Sequence, residues 1–164
     1  MSTAQDGAAP LLFQPITIQS VTARNRIVVP PLCQYSATDG IANNWHLVHL
    51  GSYARGGAGT VFVEATGVEA RGRITHGCLG LWNDAQAAAL APLVDIIKQH
   101  GAVAGIQIAH AGRKAATQRP WNGLGALTEL DIAQGDVPWQ VVGAWAKCVQ
   151  TFHPLCRLRS VSVR

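Results

Sequence analysis

Three short runs place reactive or hydrogen-bonding side chains directly after apolar segments. They are Pro30-Pro31-Leu32-Cys33-Gln34-Tyr35, Glu64-Ala65-Thr66 and Gln107-Ile108-Ala109-His110-Ala111-Gly112-Arg113-Lys114. Thiol, phenol, carboxylate and primary amide are groups that bind and orient a polar ligand. Taken singly, each has a structural explanation. Gln107 reads as a satisfied core amide, and Cys33 as an inert core thiol, because redox or nucleophilic duty needs a lowered thiol pKa. Arg113-Lys114 reads equally as a phosphate-facing pair or as the solvated end of a strand. His46 and His49 lie three apart, a spacing open to metal binding, but without a third ligand packing or loop anchoring is the better reading. Cys148, His153 and Cys156 form only a weak cluster in a stretch with no acids, so no metal site is expected.

The elements that must position these groups follow from periodicity. Pro15–Ser20 alternates like an exposed strand, whereas Ile27-Val28-Val29-Pro30-Pro31 is a continuous apolar run of the kind buried on both faces. Apolar residues at Trp45, Val48, Leu50 and Tyr53 predict a helix over Asn44–Arg55, closed by Gly56-Gly57. Thr60–Ala65 is a second buried-type strand. Asn83 or Asp84 caps a predicted helix over Ala85–His100, which Gly101 ends. Ala102–Ile108 is the third buried-type strand, and 115–143 reads as loop. Strands and helices in this alternation imply parallel βα units, and in such folds functional groups gather where the strands end. Three successive strand ends that all carry such groups favour a site over three separate structural accidents. Gly56-Gly57-Ala58-Gly59 precedes a strand and has the wrong spacing for a dinucleotide loop.

Composition excludes several other classes. With 164 residues, 48% of them apolar, the chain is long enough for one real core. Charged residues make up 13%, against roughly 25% in typical soluble domains, as if more protein normally covered part of the surface. The net charge of +4 is not spread over a face: up to Ala144 basic and acidic groups balance, and Lys147, Arg157, Arg159 and Arg164 supply the whole excess. That distribution argues against nucleic acid as a partner. No apolar run reaches the ~18 residues of a membrane span. The four cysteines lack paired spacing and no secretory leader precedes them, so a cytoplasmic setting with free thiols is expected. Three regions result: a disordered leader over 1–10, a folded part over 11–143, and a divergent basic tail over 144–164.

The motifs also carry a resemblance. Asn25-Arg26-Ile27-Val28-Val29-Pro30-Pro31-Leu32-Cys33-Gln34-Tyr35 is similar to the first barrel strand of the old yellow enzyme family. The likeness is to its bacterial xenobiotic-reductase and thermophilic-like ene-reductase branch, marked by a Cys two residues before a Tyr. It continues through Trp45-His46-Leu47-Val48-His49, Val63-Glu64-Ala65-Thr66, Gly72-Arg73-Ile74, Gly80-Leu81-Trp82 and Ile106–Lys114, covering about Leu12 to Val142. The resemblance implies an α/β fold, a TIM (β/α)₈ barrel, that binds FMN and passes hydride from NAD(P)H to small activated alkenes of enone or enal type. It assigns Pro30, Pro31, Leu32 and Cys33 to the strand along the flavin ring, with Cys33 tuning the flavin. Ala65 meets the ring through its backbone, Gln107 hydrogen-bonds its pyrimidine side, and Tyr35 belongs to the substrate pocket.

A whole barrel needs about 250 residues, and this chain supplies about three βα units. The family's paired histidines on a later strand, its flavin-facing arginine and its late phosphate loops have no counterpart here, so no residue is assigned to catalysis proper. Similarity fades near Ala144, where the charge imbalance begins, as a frameshift or early stop would produce. The expectation is an incomplete flavin site that is inert alone, self-associates, or needs a complementary barrel half.

Overall fold

In a computed structural model of the chain, residues 9–143 are described. Apart from Ala9 and Pro10, the expected leader lies outside the described residues, as does the tail from Ala144 with Cys148, His153 and Cys156. The described part opens with a hairpin of β1 (Ile16–Ile18) and β2 (Val21–Ala23), paired antiparallel. Gln19 turns it at φ 52. The Thr17 and Thr22 hydroxyls meet across it at 2.9 Å. β2 is a strand that the sequence pattern does not announce.

A three-stranded parallel sheet follows, in the order β3 (Val28–Val29), β4 (Thr60–Gly67), β5 (Val103–Ala109). Parallel neighbours need crossovers, and helices α1 (Asn44–Arg55) and α2 (Asp84–Gln99) provide them. Both helices pack on the sheet and on each other. Their starts are fixed locally. Asn43 caps α1 in a reciprocal box with His46, and the Asn83 side chain accepts the Gln86 N–H to cap α2. Gly101, at φ 73, ends α2 in a left-handed conformation that favours glycine. The core is built from Leu50 and Ala54 of α1, Leu90, Leu93 and Ile97 of α2, and Val61 and Val63 of β4, closed by Leu79 and Ala102.

Three expectations need correction. The helix over Asn44–Arg55 forms with its predicted bounds, but it buries a different stripe: His46, Leu50 and Ala54, spaced by four, face the core. Trp45 and Val48 lie on the side of the helix turned away from that stripe, and they are 59% and 71% exposed. The runs read as buried strands at Ile27–Pro31 and Ala102–Ile108 form edges. Val28 is 53% and Ile108 63% exposed, because only β4 has a strand on each side. The stretch 115–143 is not all loop. It holds the short helix α3 (Glu129–Ala133), whose Thr128–Asp131 capping box is a signal present in the sequence.

Candidate functional site

The first strand end runs from Pro30, exposed just past β3, through half-buried Pro31 and exposed Leu32 to Cys33. The half-buried Cys33 thiol hydrogen-bonds with the Ala65 backbone and the Tyr35 side chain. Burial foremost, then the Glu64 carboxylate and Cys78, push its pKa up to about 11. At neutral pH it is a neutral thiol and not an activated nucleophile. Tyr35 is held at φ 51, a conformation uncommon for a bulky residue. Its ring meets Trp121 edge-on at 6.0 Å. Burial first, then the neighbouring Cys33, raise its phenol above the usual range. The loop after β4 supports this turn from below. The Ala37 N–H donates to the Gly77 carbonyl at 2.9 Å, and any Cβ at Gly77 would collide with the Tyr35 carbonyl.

The second strand end is the most enclosed. A bulge between Val63 and Ala65 inserts Glu64 as an extra residue in β4. Its carboxylate, 3% exposed, accepts the backbone N–H of Gln34. The Thr66 hydroxyl donates to the Glu64 carbonyl at 2.8 Å. Past the bulge, Ala65 lies directly beside Gln107 of β5 in the parallel register. The structure therefore brings Cys33, Tyr35, Ala65 and Gln107 to one end of one sheet.

At the third strand end, Gln107 is exposed, and among the described residues its side-chain amide makes no hydrogen bond. This differs from the reading of Gln107 alone as a satisfied core amide. The edge position of β5 is the reason. Arg113 and Lys114 stand exposed on the turn Gly112–Lys114 that follows. The ends of β4 and β5 are tied together by a contact that the sequence reading missed: His110 Nε2 lies 2.7 Å from Glu69 Oε1. The Gly112 N–H donates to His110 Nδ1, so Nε2 is the donor to Glu69. That hydrogen bond foremost, then Arg71, holds the Glu69 carboxyl below its usual range.

Also missed was Arg73. Its guanidinium lies 5.4 Å from the Trp82 ring and 5.2 Å from the Trp139 ring, which ties the loop after β4 to 115–143. Spacing along the chain does not signal it, since Trp139 comes from a segment far from Arg73 and Trp82. His46 and His49 diverge. His46 caps α1 and faces Glu64, whereas the His49 ring meets Tyr53 edge-on at 5.1 Å. Burial lowers the His49 pKa. Among the described residues no group of His, Cys, Asp or Glu is arranged to hold a metal ion. Nor is any described helix long and apolar enough to cross a membrane.

Parallel βα units with their polar groups at the strand C-termini define the class: the opening part of an α/β barrel whose site lies on the C-terminal face. Comparison with known proteins agrees. Residues 11–138 match the model of the NADH:flavin oxidoreductase / NADH oxidase family, and the chain belongs to that family. Over 128 residues it is 43% identical to an NADH:flavin oxidoreductase of Gibberella zeae, a match covering 78% of this chain and 31% of the relative. It is 54% identical over 106 residues to the NADPH dehydrogenase of Listeria welshimeri, covering 63% of this chain and 31% of that one. Among solved structures, the old yellow enzyme homologue of Zymomonas mobilis superposes with a TM-score of 0.62 at 28% identity, over 81% of this chain and 39% of its own. Morphinone reductase superposes with a TM-score of 0.60 at 28% identity, over 66% and 28% respectively. The chain thus spans about a third of the length of the curated relatives it matches.

Proposed function

We propose that this chain carries one part of the flavin site of an FMN-dependent NAD(P)H oxidoreductase of the ene-reductase type. One observation carries the reading: the uncommitted Gln107 amide stands in register beside Ala65, whose backbone in turn meets the Cys33 thiol, so that three consecutive strand ends adjoin in series. This donor set fits a flavin. An amide offers both a donor and an acceptor to the ring's polar edge, the Ala65 backbone lies beside it, and Pro30, Pro31 and Leu32 supply an apolar flank. When bound, FMN supplies hydride transfer between the nicotinamide and a small activated alkene of enone or enal type. The chain's own residues do the rest. Gln107 orients the ring, Cys33 presents a neutral thiol toward it, and Tyr35 lends a hydroxyl to the substrate side. A cytoplasmic setting belongs to the same reading, supported by the free thiols Cys33 and Cys78.

A second reading is favoured by the open edges at Val28 and Ile108: a barrel fragment that is inert alone and gains function with a complementary half. Titrating the purified chain with FMN and following flavin absorbance and fluorescence separates the two. The first reading expects retained flavin, weakened about tenfold or more by Gln107→Ala through loss of hydrogen bonds to the ring. NADPH-dependent bleaching would extend it to reduction. A colourless product indifferent to FMN overturns the first reading and leaves the second. The second then expects flavin retention when the remaining part of a relative such as the Listeria welshimeri enzyme is added.

A further inference from the structure

Two buried side-chain atoms among the described residues lack a hydrogen bond, and they face each other: His46 Nε2 and Glu64 Oε1. They stand 3.5 Å apart, an ion-pair distance that is too long for a good hydrogen bond. Both side chains are almost wholly inside, with His46 1% and Glu64 3% exposed. Burying a carboxylate is costly, and such groups persist where partners compensate them. The second Glu64 oxygen has its partner, the backbone N–H of Gln34. The His46 ring is anchored in turn at Nδ1, which lies 3.2 Å from the Asn43 backbone nitrogen and 3.0 Å from Asn43 Oδ1, with Nε2 turned toward Glu64.

Gln34 is the residue between Cys33 and Tyr35. Its side chain is held as well: Nε2 donates to the Leu32 carbonyl at 2.9 Å, and Oε1 accepts from Trp45 Nε1 at 3.1 Å. A chain of contacts therefore runs from the start of α1, through a carboxylate lodged in the β4 bulge, to the backbone that carries both the thiol and the phenol.

We propose that Glu64 is a positioning residue: anchored by His46, its carboxylate clamps the Gln34 backbone and so fixes where the Cys33 thiol and the Tyr35 phenol stand. The relevance of that position to flavin chemistry rests on the function proposed above, but the clamp itself does not. The groups that act on Cys33 come from three segments: Glu64 from β4, Cys78 from the loop after it, and Tyr35 from its own turn. Those facing Glu64 from α1 are His46 and His49. Removing the Glu64 charge while keeping its shape must ease ionisation of Cys33, since the carboxylate opposes it.

The test uses the full chain without flavin. The exchange rate of the Gln34 amide is measured, together with iodoacetamide alkylation of Cys33 against pH, read from its tryptic peptide separately from that of Cys78. In the unmodified chain, the Gln34 amide is expected to exchange slowly. Glu64→Gln keeps an oxygen acceptor, so slow exchange is retained. Its alkylation profile moves to lower pH, so that at a fixed pH below the midpoint Cys33 is alkylated faster, about tenfold for each pH unit of displacement. Glu64→Leu removes the acceptor and frees the amide to exchange. If Glu64→Leu does not fold, the first two proteins still decide. A Gln34 amide exchanging at the rate of an open loop in the unmodified chain overturns the clamp, as does a Glu64→Gln profile identical to that of the unmodified chain. Failure of the FMN titration with these results intact removes the flavin reading and leaves the clamp standing.

Discussion

The end of β4 and the end of β5 adjoin in one sheet, yet they are opposite environments. At β4, Glu64 and Thr66 are buried, and Glu64 meets partners on both sides from within the chain: Gln34 before it and His46 from α1. At β5, Gln107 and Ile108 are exposed, and the polar group is uncommitted among the described residues. The sequence of the two strands does not explain this contrast, since both are apolar runs ending in a polar group. Strand order does. A strand with parallel neighbours on both sides has its environment completed internally, whereas an edge strand leaves its outer side to whatever packs there next.

The largest test of that contrast is paired truncation. Leu93→Ala, at a core position 2% exposed, is expected to cost about 2–5 kcal/mol. Ile108→Ala, at 63% exposure, should stay within about 0.5 kcal/mol. Urea unfolding of both variants measures it, and similar losses would mean that β5 is not an edge. Next in size is Gly77→Ala, whose methyl group collides with the Tyr35 carbonyl. A destabilisation of about 1–3 kcal/mol is expected from overpacking a closed site. Faster Cys33 alkylation should accompany it, and an unchanged melting temperature would show that the turn is loose.

The smallest effect concerns pH and the 115–143 segment. The Thr128 hydroxyl foremost, then its backbone N–H and Gln118, hold the Asp131 carboxyl below its usual range. A depressed folded-state pKa means that its contribution is present above the unfolded value, about 3.9, and is lost as pH falls through the lower folded value. Fluorescence of Trp121, whose chain neighbour Asn122 reaches Asp131 Oδ1 at 3.5 Å, should therefore change on acidification below about pH 4. Thr128→Ala should move the change to higher pH. A titration curve unaltered by that substitution would remove Asp131 as its cause.

Legibility differed by kind of feature. Both long helices were readable because their signals are local: apolar spacing closed by Gly56-Gly57 for the first, and Asn83 before and Gly101 after the second. The strand ends were readable for the same reason, each being a continuous apolar run with a polar residue at its close. The buried stripe of α1 was misread, because Trp45 and Val48 are apolar but lie on the side turned away from it, while His46 is polar yet interior. Capping and the facing Glu64 carboxylate make that burial tolerable, and periodicity registers neither. The His110–Glu69 tie and the Arg73–Trp139 contact are long-range, joining residues 41 and 66 positions apart.

By itself the sequence determined the alternation of strands and helices, the neutral charge of the body, the family motifs and the candidate residues Cys33, Tyr35, Ala65 and Gln107. All of these are set by residue type and local spacing. Only the tertiary structure decided that Ala65 and Gln107 are register partners, that Cys33 is a high-pKa thiol, and that Glu64 reaches the backbone between Cys33 and Tyr35. Those facts depend on which strands lie side by side and on what burial removes from water. Both are properties of the assembled sheet, and no single stretch of chain contains them.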